Sequence, residues 1–429
     1  MKALLVRGGR VVDPANERDE VCDVLVEKGK VARVAKSIKA PAGCKVFDAK
    51  GRIVAPGFFD MHTHLREPGF EYKETIETGS RAAAEGGFAS VACMANTEPP
   101  NDNQNVTRFI RERAAEAGLV NVFPIGAVSK GLRGEELAEF GDMAGEGIVA
   151  VSDDGIPVAD AELMRRALEY AKLFDFPVIN HAEEPSLSGD GDIHEGEIST
   201  LLGLRGIPGA AEDAMVARDV YLAELTGSRL HVPHLSTREA VRIVREAKAR
   251  GVRVSCEVAP HHLVLSDEAC KAFDTNTKMK PPLRPKADVE ALKEALADGT
   301  VDAVATDHAP HHWDEKSLEF PLAPFGIVGL ETAVSLMADR FVRAGLLTWT
   351  RLVELLSENP ARILNQRSKG HLSPGADADV TVIDPEVRVT VDASAFRSRS
   401  RNSPFDGWKL KGAPCATIVS GRVVYERPS

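Results

Sequence analysis

The chain of 429 residues lacks the features that mark several common classes of protein. It has no run of 18 apolar residues, so we expect no transmembrane helix. No block of lysine or arginine offsets the formal net charge of −11, which argues against nucleic acid as a partner. The six cysteines form no Cys-x-x-Cys pair, so they are poor candidates for a zinc finger. We therefore expect a soluble protein with no nucleic-acid or membrane partner.

The cysteines and the first residues predict the same cellular setting. Residues 1–7 reach a charge too early for a signal peptide, and their alternation predicts a strand instead. Scattered cysteines are typical of reduced thiols in a cytoplasmic enzyme. The length allows either several domains or one barrel with a smaller module. The cysteines are Cys22, Cys44, Cys93, Cys256, Cys270 and Cys415.

His62 and His64 are the most informative residues that the chain does contain. They follow the apolar run Ile53–Phe59, which predicts a buried strand. Residues two apart on a strand point to the same side. Two imidazoles placed in this way can bind one cation, and neutral imidazole suits zinc. A lone His-x-His pair is a weak signal, so the interpretation depends on residues further along the chain.

More residues of metal-binding types occur later, each directly after a short apolar run. A parallel barrel gathers the carboxyl ends of its strands around one mouth, so such residues would converge there. Spacing alone leaves Asp153 and Asp154 as alternatives at the first of these positions. The candidates are Asp153 and Asp154 after Ile148–Val151, His181 after Pro177–Ile179, His234 after Leu230–Val232, and Asp307 after Val301–Ala305.

The order of predicted elements divides the chain into two modules. Short strands separated by glycine and proline predict a β-module that combines residues 1–55 and 366–429. Residues 56–365 alternate strands with helices, which indicates a parallel sheet. Apolar spacing predicts a helix over Asp160–Phe174, and two further helices, each closed by a glycine, are predicted over Ala211–Thr226 and Thr237–Arg250.

With these residues in view, the chain resembles the amidohydrolase superfamily and, within it, the dihydroorotase family of the bacterial long-chain type. The resemblance implies an α/β fold, a distorted (β/α)8 TIM-like barrel with a small β-sandwich formed by both termini. It extends over almost the whole chain in one order of blocks. These are Asp60–Gly69, Ala95–Pro99, Ser152–Gly155, His194–Gly196, Gly209–Asp219, His231–Thr237, Lys278–Arg284, Thr306–His311 and Pro324–Thr332.

The resemblance also implies a metal centre. It assigns Asp307 a second role in moving protons, and it favours Asp154 over Asp153. Many relatives bridge two metals with a carboxylated lysine, but the segment Gly147–Asp154 has no lysine, which predicts a carboxylate bridge. The expected cofactor is zinc, one or two ions with two favoured. The implied ligands are His62, His64, Asp154, His181, His234 and Asp307.

The same comparison implies a set of substrate contacts. Arg66 falls on the arginine that receives the substrate carboxylate, and a guanidinium offers a planar fork for that group. Lys280 stands where the family commonly has an asparagine, and Ala95 where it has a proline. The predicted substrate contacts are His64, Arg66, Asn96, Lys280, His311, Phe325 and Gly326.

The implied activity is the reversible interconversion of N-carbamoyl-L-aspartate and L-dihydroorotate in pyrimidine biosynthesis. Metal-bound hydroxide would attack the ring amide, with Asp307 as general acid and base. The alternatives are another cyclic amidase, such as a hydantoinase, dihydropyrimidinase or allantoinase, and a non-catalytic subunit of aspartate transcarbamoylase. A homodimer and a complex with aspartate transcarbamoylase are both left open as assemblies of this chain.

Overall fold

The computed structural model describes residues 3–428, so Met1 and Lys2 of the predicted first strand lie outside the described part. The strands are β1 (Leu4–Asp13), β2 (Arg18–Glu27), β3 (Lys30–Ala35), β4 (Lys45–Asp48), β5 (Ile53–Pro56), β6 (Phe58–Thr63), β7 (Phe88–Cys93), β8 (Asn121–Pro124), β9 (Val151–Ser152), β10 (Pro177–Ile179), β11 (Ile193–His194), β12 (Gly206–Ile207), β13 (Arg229–Val232), β14 (Val254–Val258), β15 (Ala303–Val304), β16 (Val380–Thr390), β17 (Lys409–Val419) and β18 (Arg422–Glu426).

Helices connect and cover these strands. The α-helices are α1 (Ile76–Glu85), α2 (Gln104–Ala117), α3 (Phe140–Gly145), α4 (Ala161–Ala171), α5 (Pro185–Ser188), α6 (Glu197–Leu202), α7 (Gly209–Thr226), α8 (Arg238–Ala249), α9 (Pro260–Val264), α10 (Lys286–Asp298), α11 (Trp313–Lys316), α12 (Ala333–Met337), α13 (Trp349–Val353) and α14 (Asn359–Ile363). Two π-helical turns, Ala338–Val342 and Glu354–Glu358, follow α12 and α13.

Eight parallel strands form the central barrel, in the order β6-β7-β8-β9-β10-β13-β14-β15. Two of the eight junctions are single bridges, one between Gly126 and Val151 and one between Thr63 and His308. The second of these closes β15 back onto β6. Because these two junctions are so short, the barrel is distorted. The predicted (β/α)8 fold is confirmed.

Both ends of the chain build one sheet beside the barrel. Its strand order is β18-β17-β16-β5-β1-β2-β3, with β4 paired to β1. The sheet curls, since Val31 of β3 donates its N–H to the carbonyl of Ala376, 3.0 Å away, just before β16. Val24, Val380 and Ile418 therefore share one buried core. The boundaries at residues 55/56 and 365/366 stay a prediction.

At Gly57 the structure differs from the sequence prediction, because a strand that was predicted to be continuous is interrupted there. The run Ile53–Phe59 was predicted as one strand, but it is divided between β5 of the terminal sheet and β6 of the barrel. A Cβ atom at Gly57 would lie 2.6 Å from the Cβ of Ala89 and 2.7 Å from that of Asp379. Only glycine allows the two modules to approach so closely at this point.

The helices follow local sequence rules. In α4, Asp160 caps the helix by accepting from the N–H of Leu163 at 2.7 Å, and the apolar face that includes Met164 and Leu168 is buried. Gly227 ends α7 in the left-handed conformation, as its position predicts. Across residues 3–428, no helix combines the length and apolar character that crossing a membrane requires.

Candidate active site

The carboxylate of Asp154, directly after β9, lies at the centre of a histidine cluster. Its Oδ2 is 3.4 Å from Nε2 of His62 and 3.4 Å from Nε2 of His64. Its Oδ1 is 3.6 Å from Nδ1 of His181 and 3.4 Å from Nε2 of His234. Each oxygen therefore faces a different pair of histidines. All these side chains are buried at the carboxyl ends of barrel strands.

Asp307 completes the cluster from the end of β15. Its Oδ1 is 3.1 Å from Nε2 of His64 and 3.4 Å from Nε2 of His62. Two donors on one tetrahedral zinc ion lie roughly 3.3 Å apart, since each is about 2.0–2.1 Å from the metal. The spacing of these nitrogen and oxygen atoms matches that value.

Several polar atoms of the cluster have no protein partner. Nε2 of His62, Nε2 of His181 and Oδ1 of Asp154 are buried and accept or donate no hydrogen bond within residues 3–428. A buried polar atom without a partner costs free energy, so such atoms occur where a ligand satisfies them. One oxygen of the Asp154 carboxylate and two histidine nitrogens beside it are thus left without partners, which fits a metal centre.

The histidines of the cluster stabilise the ionised form of its carboxyl groups, and the carboxylates stabilise the protonated form of His62. Burial alone would raise the pKa of Asp307, but His62 and His64 hold it well below the usual range. Burial would likewise lower the pKa of His62, but Asp154, Asp307 and Glu257 raise it well above its usual value. Asp307 is therefore ionised at neutral pH.

Glu257 is a functional candidate that the sequence analysis missed. It lies on β14, inside the barrel, and is 2% exposed. Its Oε1 is 2.6 Å from Nδ1 of His62, and its Oε2 is 3.2 Å from Nε2 of His231. A carboxylate that accepts from the far nitrogen of a histidine fixes the orientation of the ring. No motif marks Glu257, because its partner is 195 residues away in the chain.

The structure separates the two neighbouring aspartates that spacing left open. Asp153 points away from the cluster and accepts from the N–H groups of Val128 at 2.7 Å and Ser129 at 3.0 Å. Asp154 alone enters the cluster. The side chain of Asn96 contacts both Asp154 and His64. Nδ2 of Asn96 donates to the main-chain carbonyl of Asp154 at 3.2 Å, and Oδ1 of Asn96 is 2.9 Å from Nδ1 of His64.

A cavity of about 330 Å³ opens beside the cluster. This volume suits a small ligand. Asp154, His181 and Asp307 contribute to its wall, together with Gly155, Met279, Ala309 and Pro324. All the residues predicted to contact substrate also line it, namely His64, Arg66, Asn96, Lys280, His311, Phe325 and Gly326.

Arg66 brings a positive charge to this cavity. Its Nε donates to the carbonyl of Pro310 at 3.2 Å, and Nη2 lies 3.4 Å from Nε2 of His311. No carboxylate of the described residues lies within 4.0 Å of its guanidinium. Burial lowers the pKa of Arg66 to about 10, so the side chain is still charged at neutral pH. Burial also lowers the pKa of His311 to about 3, so this ring is neutral. A partly buried cation without an acidic partner favours an anionic ligand.

Lys280 is held by an acidic residue of its own. Its Nζ is 2.8 Å from Oε1 of Glu183 and 5.3 Å from the centre of the Phe325 ring. Burial raises the pKa of Glu183, but His181 and Lys280 lower it to about 2, so the pair is charged. The positive charge of Lys280 is therefore already neutralised, in contrast to that of Arg66.

The main chain is strained at three of these positions. Arg66, His234 and Asp307 have φ values of 61°, 34° and 48°, in the left-handed region that side chains other than glycine rarely adopt. Each such residue costs about 1–3 kcal/mol, and such strain is concentrated at functional sites. The surrounding fold holds these side chains in position against that cost.

Comparisons with known proteins agree with this arrangement. A family profile described as "Dihydro-orotase-like" matches residues 51–240, and one described as "Amidohydrolase family" matches residues 244–425. The solved structure of an L-hydantoinase (dihydropyrimidinase) from Arthrobacter aurescens has a TM-score of 0.90 at 27% identity, covering 100% of this chain and 97% of the other. The solved structure of a D-hydantoinase (dihydropyrimidinase) from a Thermus species has a TM-score of 0.83 at 27% identity, covering 99% of this chain and 97% of the other.

Curated relatives are much more similar in sequence. A dihydroorotase from Geobacter metallireducens is 58% identical over 99% of this chain and 100% of the relative. A dihydroorotase from Pelotomaculum thermopropionicum is 57% identical over 99% of this chain and 98% of the relative.

The barrel with its histidine and carboxylate cluster defines this protein as a hydrolase of the amidohydrolase class. Full-length identity then narrows the assignment, and the chain belongs to the dihydroorotase family. The family predicted from the sequence is confirmed, and the relatives do not favour the alternative cyclic amidases.

Proposed function

We propose that this chain interconverts N-carbamoyl-L-aspartate and L-dihydroorotate in pyrimidine biosynthesis, using zinc as its cofactor. The observation that carries the proposal is the carboxylate of Asp154, whose two oxygens face two separate pairs of histidines. Such a carboxylate would hold zinc together with the histidines around it, with no carboxylated lysine. The proposed ligands are His62, His64, Asp154, His181, His234 and Asp307.

Bound zinc would polarise the ring carbonyl and lower the pKa of a water molecule to about 7. The ionised Asp307 accepts the proton of that water as its oxygen attacks the carbonyl carbon. The carbon–nitrogen bond of the ring then breaks, and Asp307 returns the proton to the leaving nitrogen. In the biosynthetic direction the same proton transfers run in reverse, and water is released.

Arg66 supplies the substrate preference in this proposal. Dihydroorotate has a carboxylate on its ring, whereas hydantoin has none. The guanidinium lines the cavity without an acidic partner in the described part of the chain, so it is available for a substrate carboxylate. Lys280 is already paired with Glu183 and therefore contributes less.

A cytoplasmic location is also part of the proposal. All six cysteines lie within the described residues and are free thiols. Five of them are buried and behave as small apolar side chains. Free thiols suit a reducing compartment.

A turnover assay tests the proposed function directly. The purified, zinc-loaded protein should hydrolyse L-dihydroorotate with a kcat/KM roughly ten- to hundredfold above that for hydantoin, because one charge-assisted contact is worth that factor. Both substrates are followed by loss of ring absorbance under the same conditions.

Three other outcomes of this assay are informative. Preference for hydantoin would contradict the proposal and support the hydantoinase alternative. No turnover with either substrate, alone or with aspartate transcarbamoylase added, would indicate a non-catalytic subunit. Turnover only with added transcarbamoylase would keep the reaction and show that a partner is required.

Glu257 allows a second test that does not depend on turnover. We expect Glu257→Gln to weaken zinc binding roughly 10- to 100-fold, the usual effect of losing a carboxylate that orients a metal-ligating histidine. The substitution keeps the volume but removes the charge that holds Nδ1 of His62 at 2.6 Å. The zinc dissociation constant is measured by competition with a chromophoric chelator.

Asp379→Asn is the matched control for Glu257→Gln. Asp379 is also buried and accepts from Lys369 Nζ at 2.6 Å and Ser420 N at 2.8 Å, but it lies in the terminal module. This control should leave zinc affinity unchanged. Equal zinc affinity in Glu257→Gln and the unaltered protein would show that Glu257 does not orient a metal ligand.

A further inference from the structure

We propose that Asn402, which belongs to the C-terminal part of the chain, is a positioning residue that sets substrate affinity. It lies in the crossing segment, residues 396–406, which runs from the terminal sheet across to the mouth of the barrel. This inference rests on the proposed function, because it concerns the same cavity. No motif in the sequence marks Asn402.

The loop of residues 309–326 forms one wall of the cavity, and the side chain of Asn402 makes hydrogen bonds to both ends of it. Its Nδ2 donates to the carbonyl of Ala309 at 2.9 Å and to that of Gly326 at 3.0 Å. Its Oδ1 accepts from the N–H of His311 at 3.2 Å. All three partners line the cavity, and Asn402 itself is 3% exposed.

One buried amide thus joins the two ends of this loop beside the main-chain bond from the N–H of Ala309 to the carbonyl of Ile327, which is 2.9 Å long. His311 and Gly326 are predicted substrate contacts from opposite ends of an irregular segment. Lys316 adds a contact at one end only, where its Nζ donates to the carbonyl of Gly326 at 3.2 Å. On the side of Ala309 and His311, Asn402 provides the side-chain contact that joins the two ends.

The crossing segment is itself firmly held. The N–H of Arg397 donates to Oε1 of Glu331 at 2.7 Å, and that of Arg399 donates to Oε1 of Glu74 at 3.0 Å. Glu74 is fully buried and also lies 3.2 Å from Nε2 of His308, the residue after Asp307. The terminal module therefore places Asn402 in a defined position relative to the catalytic end of the barrel.

The first test is the kinetics of Asn402→Ala with L-dihydroorotate. We expect KM to rise on the order of tenfold, the equivalent of one net buried hydrogen bond. kcat should change less than about threefold, because substrate binding is affected more than the chemical step. Zinc content should stay the same, since no proposed ligand contacts Asn402.

Asn121→Ala is the matched control. Asn121 also joins the barrel to the terminal module with three bonds from one amide, to Ala89 O at 2.9 Å, Ser90 Oγ at 3.2 Å and Asp379 Oδ2 at 2.9 Å. It lies at the start of β8, at the opposite end of the barrel from the mouth. A similar rise of KM in both variants would overturn the proposal, since it would reveal a general loss of stability.

Hydrogen exchange decides the same question without turnover. The N–H of His311 should exchange faster in Asn402→Ala, whereas that of Val328 should not, because it donates to the main-chain carbonyl of Asn402 at 2.9 Å. If the protein does not act on dihydroorotate, the proposed function fails but this measurement still tests the positioning role. Unchanged exchange at His311 would overturn the inference.

Asn402→Asp provides a second variant in case the alanine variant does not fold. It keeps the shape and the acceptor for His311, but it loses both donors and turns a carboxylate oxygen toward the carbonyls of Ala309 and Gly326. KM should rise at least as much as in Asn402→Ala. A normal KM in Asn402→Asp would also contradict the proposal.

Discussion

Replacing both His62 and His64 with alanine should abolish zinc binding and dihydroorotate turnover together. Two adjacent donors disappear, and the carboxylates of Asp154 and Asp307 lose the nitrogens that lie 3.1–3.4 Å from them. We expect kcat/KM to fall at least roughly a thousandfold, or roughly 4 kcal/mol of transition-state stabilisation. This is the largest effect expected for any substitution in the chain.

The measurement is zinc per chain after gel filtration, together with turnover of L-dihydroorotate. His371→Ala is the control, because His371 lies outside the cluster and its Nε2 is 3.0 Å from the main-chain carbonyl of Arg367. Circular dichroism of the double variant shows whether the barrel is intact. A folded double variant that retains a full complement of zinc would refute the proposed metal centre.

Arg66→Met should impair dihydroorotate turnover strongly while leaving zinc binding intact. A charge-assisted contact contributes roughly 1.5–3 kcal/mol, which corresponds to roughly ten- to hundredfold in kcat/KM. Weak turnover of a neutral ring should fall much less, since that ring makes no use of the guanidinium. Methionine has a Cβ like arginine, so the left-handed φ of 61° costs the same in both proteins.

Two further variants isolate the role of Arg66. Arg133→Met removes an exposed arginine elsewhere and should change neither activity. Lys280→Met tests whether a second cation substitutes for Arg66. Because Lys280 is paired with Glu183 at 2.8 Å, we expect its loss to have the smaller effect on dihydroorotate. If Arg66→Met lowers both activities equally, Arg66 is structural and the basis proposed for substrate preference is wrong.

Much of the fold could be predicted from local patterns in the sequence. Helix α4 was predicted from the spacing of its apolar residues, which is a local property. The positions of His62, His181, His234 and Asp307 after apolar runs predicted a common location. That inference works because parallel strands of a barrel all end at the same mouth.

Other features depended on how distant segments meet. Asp153 and Asp154 are equivalent in spacing, and only the backbone after β9 turns one toward the histidines and the other toward Val128 and Ser129. The division of Ile53–Phe59 at Gly57 followed from the approach of Ala89 and Asp379. Neither outcome is visible in a local pattern, because the atoms that cause it come from other parts of the chain.

The alternation of elements and the residue types around the barrel mouth could be predicted from the sequence, because periodicity and capping act over a few neighbouring residues. Only the tertiary structure identified Glu257 behind His62 and Asn402 across the loop from Ala309 to Gly326. Their partners lie 195, 93 and 76 residues away in the chain. A hydrogen bond depends on distances in space, and those distances exist only after the barrel closes and the C-terminal segment crosses its mouth.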